Sequence, residues 1–131
     1  MSSPNNTTFP IKDFLEFTIE RGESSATASL ELSERHMNPN AVAHGSVAFA
    51  LMDTAMGAAA MAVVPDGSIC TTIEIQTRFH RAAQSGSLTA EATILTAGRR
   101  IVHLQARTVD SDDRLVASAT GSFAVIARAR E

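Results

Sequence analysis

Apolar and polar residues alternate with a period of two along several segments of this chain, the pattern of strands that bury one face. Before the middle of the chain the alternation covers residues 26–32, and Phe17 and Ile19 precede it beyond the turn sequence RGESS. Later segments are separated by turn sequences that include TAGRR and DSDDR, and they cover residues 72–79, 88–95, 101–109 and 115–126. Because the connections are short, the pattern predicts antiparallel strand pairing.

A different pattern occupies residues 47–64, an apolar run that contains one charged residue, Asp53. A transmembrane helix is disfavoured, because a carboxylate near its centre costs about 2.5–3.5 kcal/mol on insertion scales and the abundant Ala and Gly insert weakly. An apolar helix outside a membrane must be surrounded by its own protein. The run therefore predicts a long buried helix and no membrane association.

The order of elements is two strands, one long helix and about four strands. It predicts an α+β fold in which one curved antiparallel sheet wraps around the helix. The 131 residues are expected to form a single domain, residues 1–131, with residues 1–8 as a disordered polar lead-in. A single open sheet leaves exposed edges, so self-association is expected.

Composition excludes several functional classes. The net charge is −3, the chain has no Trp or Tyr, and no basic block is present, so nucleic acid is not an expected partner. The lone Cys70 cannot form an internal disulfide, which suits a reducing cytoplasm. No metal site is expected, because the four histidines lack helical i, i+4 spacing and Cys70 has no paired thiol. The histidines are His36, His44, His80 and His103.

Candidate chemistry lies at the predicted start of the helix and near its middle. His44 and Gly45 begin the helical region, and Ser46 is the expected N-cap. Free N–H groups at a helix start can hold a carbonyl oxygen that is becoming an oxyanion, and Asp53 could act as a base or a nucleophile. Asp53 follows His44 by nine residues, so the two lie on opposite sides of the helix, about 13 Å apart along its axis. A site that uses both would be shared by two copies related by a two-fold axis.

The spacing of Asn38, His44-Gly45 and Asp53, with Thr54 and Ala55 after it, resembles the active-site segment of hotdog-fold acyl-CoA thioesterases. The resemblance is to the phenylacetyl-CoA thioesterase-like branch and extends over about residues 14–126. It implies a hotdog fold and hydrolysis of acyl-CoA to a carboxylic acid and CoA, without a further cofactor. A homodimer is expected from the shared site, and the Thr and Glu residues of the outer sheet face leave open whether dimers assemble further into a homotetramer.

Carried over by residue, the resemblance makes Asp53 the catalytic carboxylate and Gly45 the N–H donor to the thioester oxygen. Asn38 and His44 would orient water and the carbonyl, and Thr72 would hydrogen-bond near the water or the carboxylate. The sequence departs from the family at Ser46, where many relatives have glycine, and in FHRAA, where proline often follows the arginine.

Arginines near the site are candidates for binding the phosphates of CoA. Arg81 follows the strand after the helix, and Arg99 and Arg100 occupy a turn. Each also suits a solvated loop position without a ligand.

Structural interpretations stand beside the functional ones. Asp53 is also compatible with a structural carboxylate that pairs with a basic neighbour, and His44 with a loop residue that bonds its own backbone. Asn38, which precedes Pro39, is also compatible with a turn residue. Thr72 is also compatible with a purely structural strand position, and Thr71 is the alternative one register slip away. Strict alternation in residues 72–79 sets Thr72 on the face opposite Ile75.

Two other functions remain open. The same fold supports acyl-CoA hydratases and dehydratases, but their acidic residues are replaced here by Pro39 and, further along the helix, by Ala58. A non-catalytic acyl-CoA binding protein is the other alternative. The acyl group is undecided between aromatic, medium-chain and branched, because Phe49, Met52, Met56 and Met61 suit either an acyl pocket or the core.

Overall fold

The computed structural model describes residues 8–128, so most of the predicted lead-in, residues 1–7, lies outside the described residues. The α-helices within this range are α1 (Pro10–Leu15) and α2 (Gly45–Met61), and a short 3₁₀ turn covers Glu34–His36. The strands within this range are β1 (Thr18–Arg21), β2 (Ser25–Glu31), β3 (Ser68–Phe79), β4 (Ser87–Ala97), β5 (Ile101–Val109) and β6 (Leu115–Ala127).

The strands of residues 8–128 form one six-stranded sheet with the order β1-β2-β4-β5-β6-β3. Every pairing in it is antiparallel, as the short connections predicted. The edges of the sheet are the four-residue β1 and the twelve-residue β3. A long edge strand presents a row of unpaired backbone groups, so β3 is the edge that is best suited to pair with another chain.

Helix α2 packs against the sheet through small side chains. Alanines of the helix contact the sheet surface that is directed towards the helix. Four strands line that surface largely with alanine, so helix and sheet approach closely. Buried alanines of this contact are Ala48, Ala55 and Ala59 on the helix and Ala28, Ala90, Ala92, Ala106, Ala117 and Ala119 on the strands. Larger residues such as Leu51, Met52 and Met56 fill the remaining space and are fully buried.

One face of α2 is left uncovered by the sheet. Phe49 and Met61 are 39% and 44% exposed, and Asp53 and Gly57 between them are half-buried. The helix ends at Met61 because the following residues turn towards Pro65, so the last three residues of the predicted 47–64 run are not helical. Neither α-helix of the described range is long and apolar enough to cross a bilayer.

The turn between β5 and β6 is built on Asp110, within the predicted DSDDR turn. Its carboxylate accepts the backbone N–H groups of Asp112 and Arg114 and the Nε–H of Arg114, each at 2.9 Å. The bond from the Arg114 N–H, with smaller contributions from Asp112 and the Arg114 side chain, lowers the pKa of Asp110. This turn fixes the register of the last hairpin at neutral pH.

A β-bulge interrupts β3 and corrects the predicted alternation. Its pairing with β6 shifts between Thr72, opposite Phe123, and Glu74, opposite Ser122. The extra residue, Ile73, is 53% exposed. Because a bulge changes which residues share a face, Thr72 lies on the helix side together with Ile75 rather than opposite it.

Burial of the helix predicts the effect of a charge at Ala59, which is 0% exposed. We expect Ala59→Lys to lower the free energy of unfolding by several kcal/mol, because an unpaired ammonium group would be buried among apolar side chains. Urea unfolding measures the change. Met61→Lys is the matched control at an exposed position of the same helix, and equal stability of both variants would contradict this packing.

Candidate active site

His44 is the N-cap of helix α2, so the prediction that Ser46 caps the helix is wrong. His44 has extended backbone angles (φ −64°, ψ 141°), and its Nδ1 accepts the Ser46 N–H at 3.0 Å. A nitrogen that accepts cannot carry the proton of a neutral imidazole, so that proton is on Nε2. The exposed ring therefore caps the helix with one nitrogen and offers an N–H donor with the other.

The loop before α2 is held by buried backbone and side-chain bonds. His36 is 1% exposed, and its Nε2 lies 2.7 Å from the carbonyl oxygen of Leu15. The His36 carbonyl in turn accepts the His44 N–H at 2.8 Å, and the Ala43 N–H donates to the Ala83 carbonyl at 2.7 Å. These contacts fix the position at which the helix starts, so His36 has a structural partner on each side.

Asn38 stabilises the same loop. Its Oδ1 accepts the Asn40 N–H at 2.8 Å and, more weakly, the Val42 N–H at 3.4 Å. This is the turn chemistry that the sequence left open as an alternative. Its side-chain carbonyl is thus occupied by the loop, which leaves only the amide N–H₂ group for another partner.

Gly45, the first residue of α2, opens onto a cleft of about 360 Å³, the N-terminal cleft. Its walls also include His44, Phe79 and Arg81, and the remainder is Ala43, Ala48, His80, Ala82, Ala83, Leu88 and Val116. Among the described residues nothing accepts the Gly45 N–H. A β-carbon at Gly45 would lie 3.2 Å from Cζ of Phe79, so the aromatic ring covers the Cα of the glycine.

Asp53 is held by Thr72 on β3. The Thr72 Oγ1 donates to Asp53 Oδ1 at 2.9 Å. The bulge at Ile73 is what turns Thr72 to this face, so Thr71, which pairs with Ala124, belongs to the outer face. Within residues 8–128 no group donates to the other carboxylate oxygen of Asp53, which leaves Oδ2 available.

The carboxylate opens onto a second cleft of about 320 Å³, the Asp53 cleft. It lies over the uncovered face of α2, between the two edge strands. Its walls are Phe9, Ile19 and Arg21 on one side, Cys70, Thr72 and Phe123 on the other, and Asp53, Thr54, Gly57, Ala58 and Met61 on the helix. Burial raises the pKa of the Cys70 thiol, which keeps it neutral and a weak nucleophile.

The two clefts share no residue of the described chain. Gly45 and Asp53 are eight residues apart on one straight helix, which separates them by about 12 Å along its axis. One protomer therefore does not bring its own Gly45 N–H and its own carboxylate to the same atom, as the sequence predicted.

The three candidate arginines lie in different places. Arg81 is exposed and lines the N-terminal cleft. Arg99 and Arg100 occupy the β4–β5 turn, at the end of β4 opposite to Leu88, and line neither cleft. Within a protomer, only Arg81 of these three is beside the helix start.

Residues that the sequence did not single out complete the two clefts. Phe79, the last residue of β3, is 57% exposed and covers Gly45. His80 lies in the wall of that cleft, with Nε2 2.8 Å from Ser118 Oγ. Gly57 carries a signal that could have been used, since glycine inside a helical pattern needs a packing or functional reason.

The potential metal ligands of the described range are dispersed. Among residues 8–128 no three His, Cys, Asp or Glu side chains are grouped as metal ligands. The N-terminal cleft offers a free helix N–H and an imidazole N–H, and the Asp53 cleft offers a carboxylate with one open oxygen. Donors of the first kind suit a polarised carbonyl, and a carboxylate of the second kind suits activation of water.

Comparison with known proteins agrees with this chemistry. The family model described as the thioesterase superfamily matches residues 40–117. A protein of Haemophilus influenzae that is provisionally named an esterase is 32% identical over 80 residues, which are 61% of this chain and 58% of that protein. The matched region thus spans just over half the length of that relative.

Solved structures share the fold. A thioesterase from Haemophilus influenzae has a TM-score of 0.87 at 26% identity, with 92% of this chain and 85% of that chain covered. A provisionally named thioesterase from Ralstonia eutropha, related to phenylacetic acid degradation, has a TM-score of 0.82 at 22% identity, with 92% and 93% covered. The second likeness concerns the fold alone. The predicted hotdog fold is confirmed, and the chain belongs to the thioesterase superfamily.

Proposed function

We propose that the protein hydrolyses acyl-CoA thioesters to a carboxylic acid and CoA, in a site that two subunits share. The observation that carries the proposal is the Asp53 carboxylate, held by Thr72 through one oxygen and open to a cleft through the other. A carboxylate with this arrangement can take a proton from water or attack the carbonyl itself. Both routes give the same products, and both need an oxyanion site nearby.

The helix start is the proposed oxyanion site. The Gly45 N–H is unpaired among the described residues and lies at the positive end of the α2 dipole. The His44 Nε2–H is a second donor beside it. Negative charge that develops on the thioester oxygen would meet both donors, while Phe79 would shield the contact from water and so strengthen it.

Strand β3 supports sharing of the site between two copies. On its helix side it carries Thr72, which binds Asp53, and Phe79, which covers Gly45. If two β3 edges pair antiparallel with Thr72 opposite the partner's Phe79 and Ile73 stays bulged, the two-fold axis passes through Gln76. The same register brings Asp53 of one subunit towards the helix start of the other.

CoA is proposed to enter at the N-terminal cleft, where Arg81 is free to meet a phosphate. Arg99 and Arg100 could contact CoA only from the partner, since they lie at the other end of the sheet. The homotetramer would use the outer sheet face, and the lone Cys70 suits the proposed cytoplasmic location.

Replacement of the carboxylate tests the reaction directly. We expect Asp53→Asn to lower turnover of acyl-CoA by about 10²–10⁴-fold while the fold persists, because the amide can neither take a proton from water nor attack. Release of free thiol from a panel of acyl-CoAs measures it. Near-normal hydrolysis by the folded variant would remove Asp53 from the mechanism, and binding or hydration without thiol release by the wild type would favour the two rival functions.

The Thr72 hydroxyl is expected to matter through Asp53. Thr72→Val should lower kcat by about ten- to hundredfold, since a hydrogen bond to a charged group is lost, whereas Thr72→Ser should keep most of the activity. Thr71→Val is the control on the outer face of the same strand. If the valine substitutions at positions 71 and 72 have equal effects, the contact has no role in turnover.

Sharing of the site is tested with mixed dimers. An Asp53→Asn chain and a His44→Ser chain should each be nearly inactive alone, while serine keeps the helix cap. Their heterodimer should regain up to about half of the wild-type activity, because one of its two sites then has both groups. Two different affinity tags isolate the heterodimer, and a heterodimer as inactive as its parents would favour a site within one chain.

A further inference from the structure

We propose that Gly57 is a specificity-determining residue that leaves room in the Asp53 cleft for an apolar acyl group larger than acetyl. This inference rests on the proposed function, because it assigns the acyl part of the substrate to that cleft. It concerns the size of the acyl group and not the chemistry of its release.

Glycine at position 57 has no explanation in the packing of the chain. It lies inside a seventeen-residue helix, where glycine is less favourable than alanine. Two other glycines are required by close contacts. A β-carbon at Gly121 would lie 3.2 Å from both Ile75 and Met56, and one at Gly45 would lie 3.2 Å from Phe79.

Gly57 has no such neighbour. Among the described residues, a β-carbon there would approach only Phe123 Cε2, at 3.6 Å, an ordinary van der Waals contact. Alanine would therefore fit without strain and would improve the helix. The missing side chain instead leaves open space on the uncovered face of α2, one turn beyond Asp53.

That space is a wall of the Asp53 cleft and is surrounded by apolar groups. Phe123 and Cys70 lie on the β3 side, Ile19 and Phe9 on the β1 side, and Met61 one turn further along the helix. A substrate whose carbonyl carbon is beside the Asp53 carboxylate can extend its acyl group along the helix past Gly57. Aromatic rings and a methionine sulfur favour an apolar group there.

Arg21 is the basic residue of this cleft, and it is exposed to solvent. Its guanidinium group can stay in water while an apolar acyl group occupies the space beside Gly57. Because the other walls beside Gly57 are apolar, the occupant is expected to be a ring or an alkyl chain rather than an acyl group that ends in a charge.

The test measures kcat/KM of the wild type and of Gly57→Ala and Gly57→Leu with four thioesters. These are acetyl-CoA, octanoyl-CoA, phenylacetyl-CoA and succinyl-CoA. We expect the wild type to prefer octanoyl-CoA, phenylacetyl-CoA or both. Gly57→Ala should lower the ratio of kcat/KM for the preferred substrate to kcat/KM for acetyl-CoA by about tenfold, and Gly57→Leu should lower it by about a hundredfold. In both variants the added side chain occupies the place of the acyl group.

Thermal unfolding accompanies the kinetics, and Gly57→Ala should melt no lower than the wild type, so its loss of activity cannot be attributed to unfolding. Met61→Ala is the complementary variant and should widen the cleft, which raises the relative rate with octanoyl-CoA. The inference would be overturned if the Gly57 variants lost kcat/KM equally for acetyl-CoA and for the bulky substrates. It would also be overturned if the wild type preferred succinyl-CoA. Failure of the wild type to release thiol from any of the four substrates would instead contradict the proposed function.

Discussion

The close packing of α2 against an alanine-lined sheet is the contact on which the rest of the structure depends. Because small side chains on both surfaces let the helix lie deep in the curved sheet, most of it is buried. The sheet has two edges, β1 and β3, and the part of the helix between them stays open. That opening is where a carboxylate can remain on an otherwise apolar helix without the cost of full burial.

A rigid helix also fixes the distance between its functional groups. Gly45 and Asp53 are separated by about 12 Å along the axis, and no loop movement can shorten that distance. The long edge strand β3 repeats the same spacing, since Thr72 contacts Asp53 at one end and Phe79 covers Gly45 at the other. An edge strand that contacts both groups is suited to bring them together with those of a second copy.

The sequence predicted the strands, the helix and the separation of His44 from Asp53, because these follow from periodicity and helix geometry. The choice between Thr71 and Thr72 could not be made from alternation. A single bulged residue, Ile73, reverses the faces, and no local sequence signal marks it. The resemblance named Thr72, but only the paired strands give its contact with Asp53.

The prediction of the N-cap was wrong for a related reason. Preference rules favour serine, which is why Ser46 was expected, but the helix begins earlier because the loop before it is anchored through His36 and Ala43. Asn38 was ambiguous from sequence, and the structure assigns its carbonyl oxygen to the turn. Contacts that are distant in sequence decided the cap, so local preference could not predict it, whereas Asn38 bonds to Asn40 and Val42 within its own turn.

The places where local rules fail coincide with the two clefts. A histidine replaces the expected serine cap beside Gly45, a bulge breaks β3 beside Asp53, and a glycine interrupts good helix formers at position 57. Each costs stability that a sequence selected for folding alone would recover. The cap supplies an N–H donor, the bulge supplies the Thr72 hydroxyl, and the glycine supplies space. Their common position on the uncovered face and the start of one helix argues that they belong to a single function.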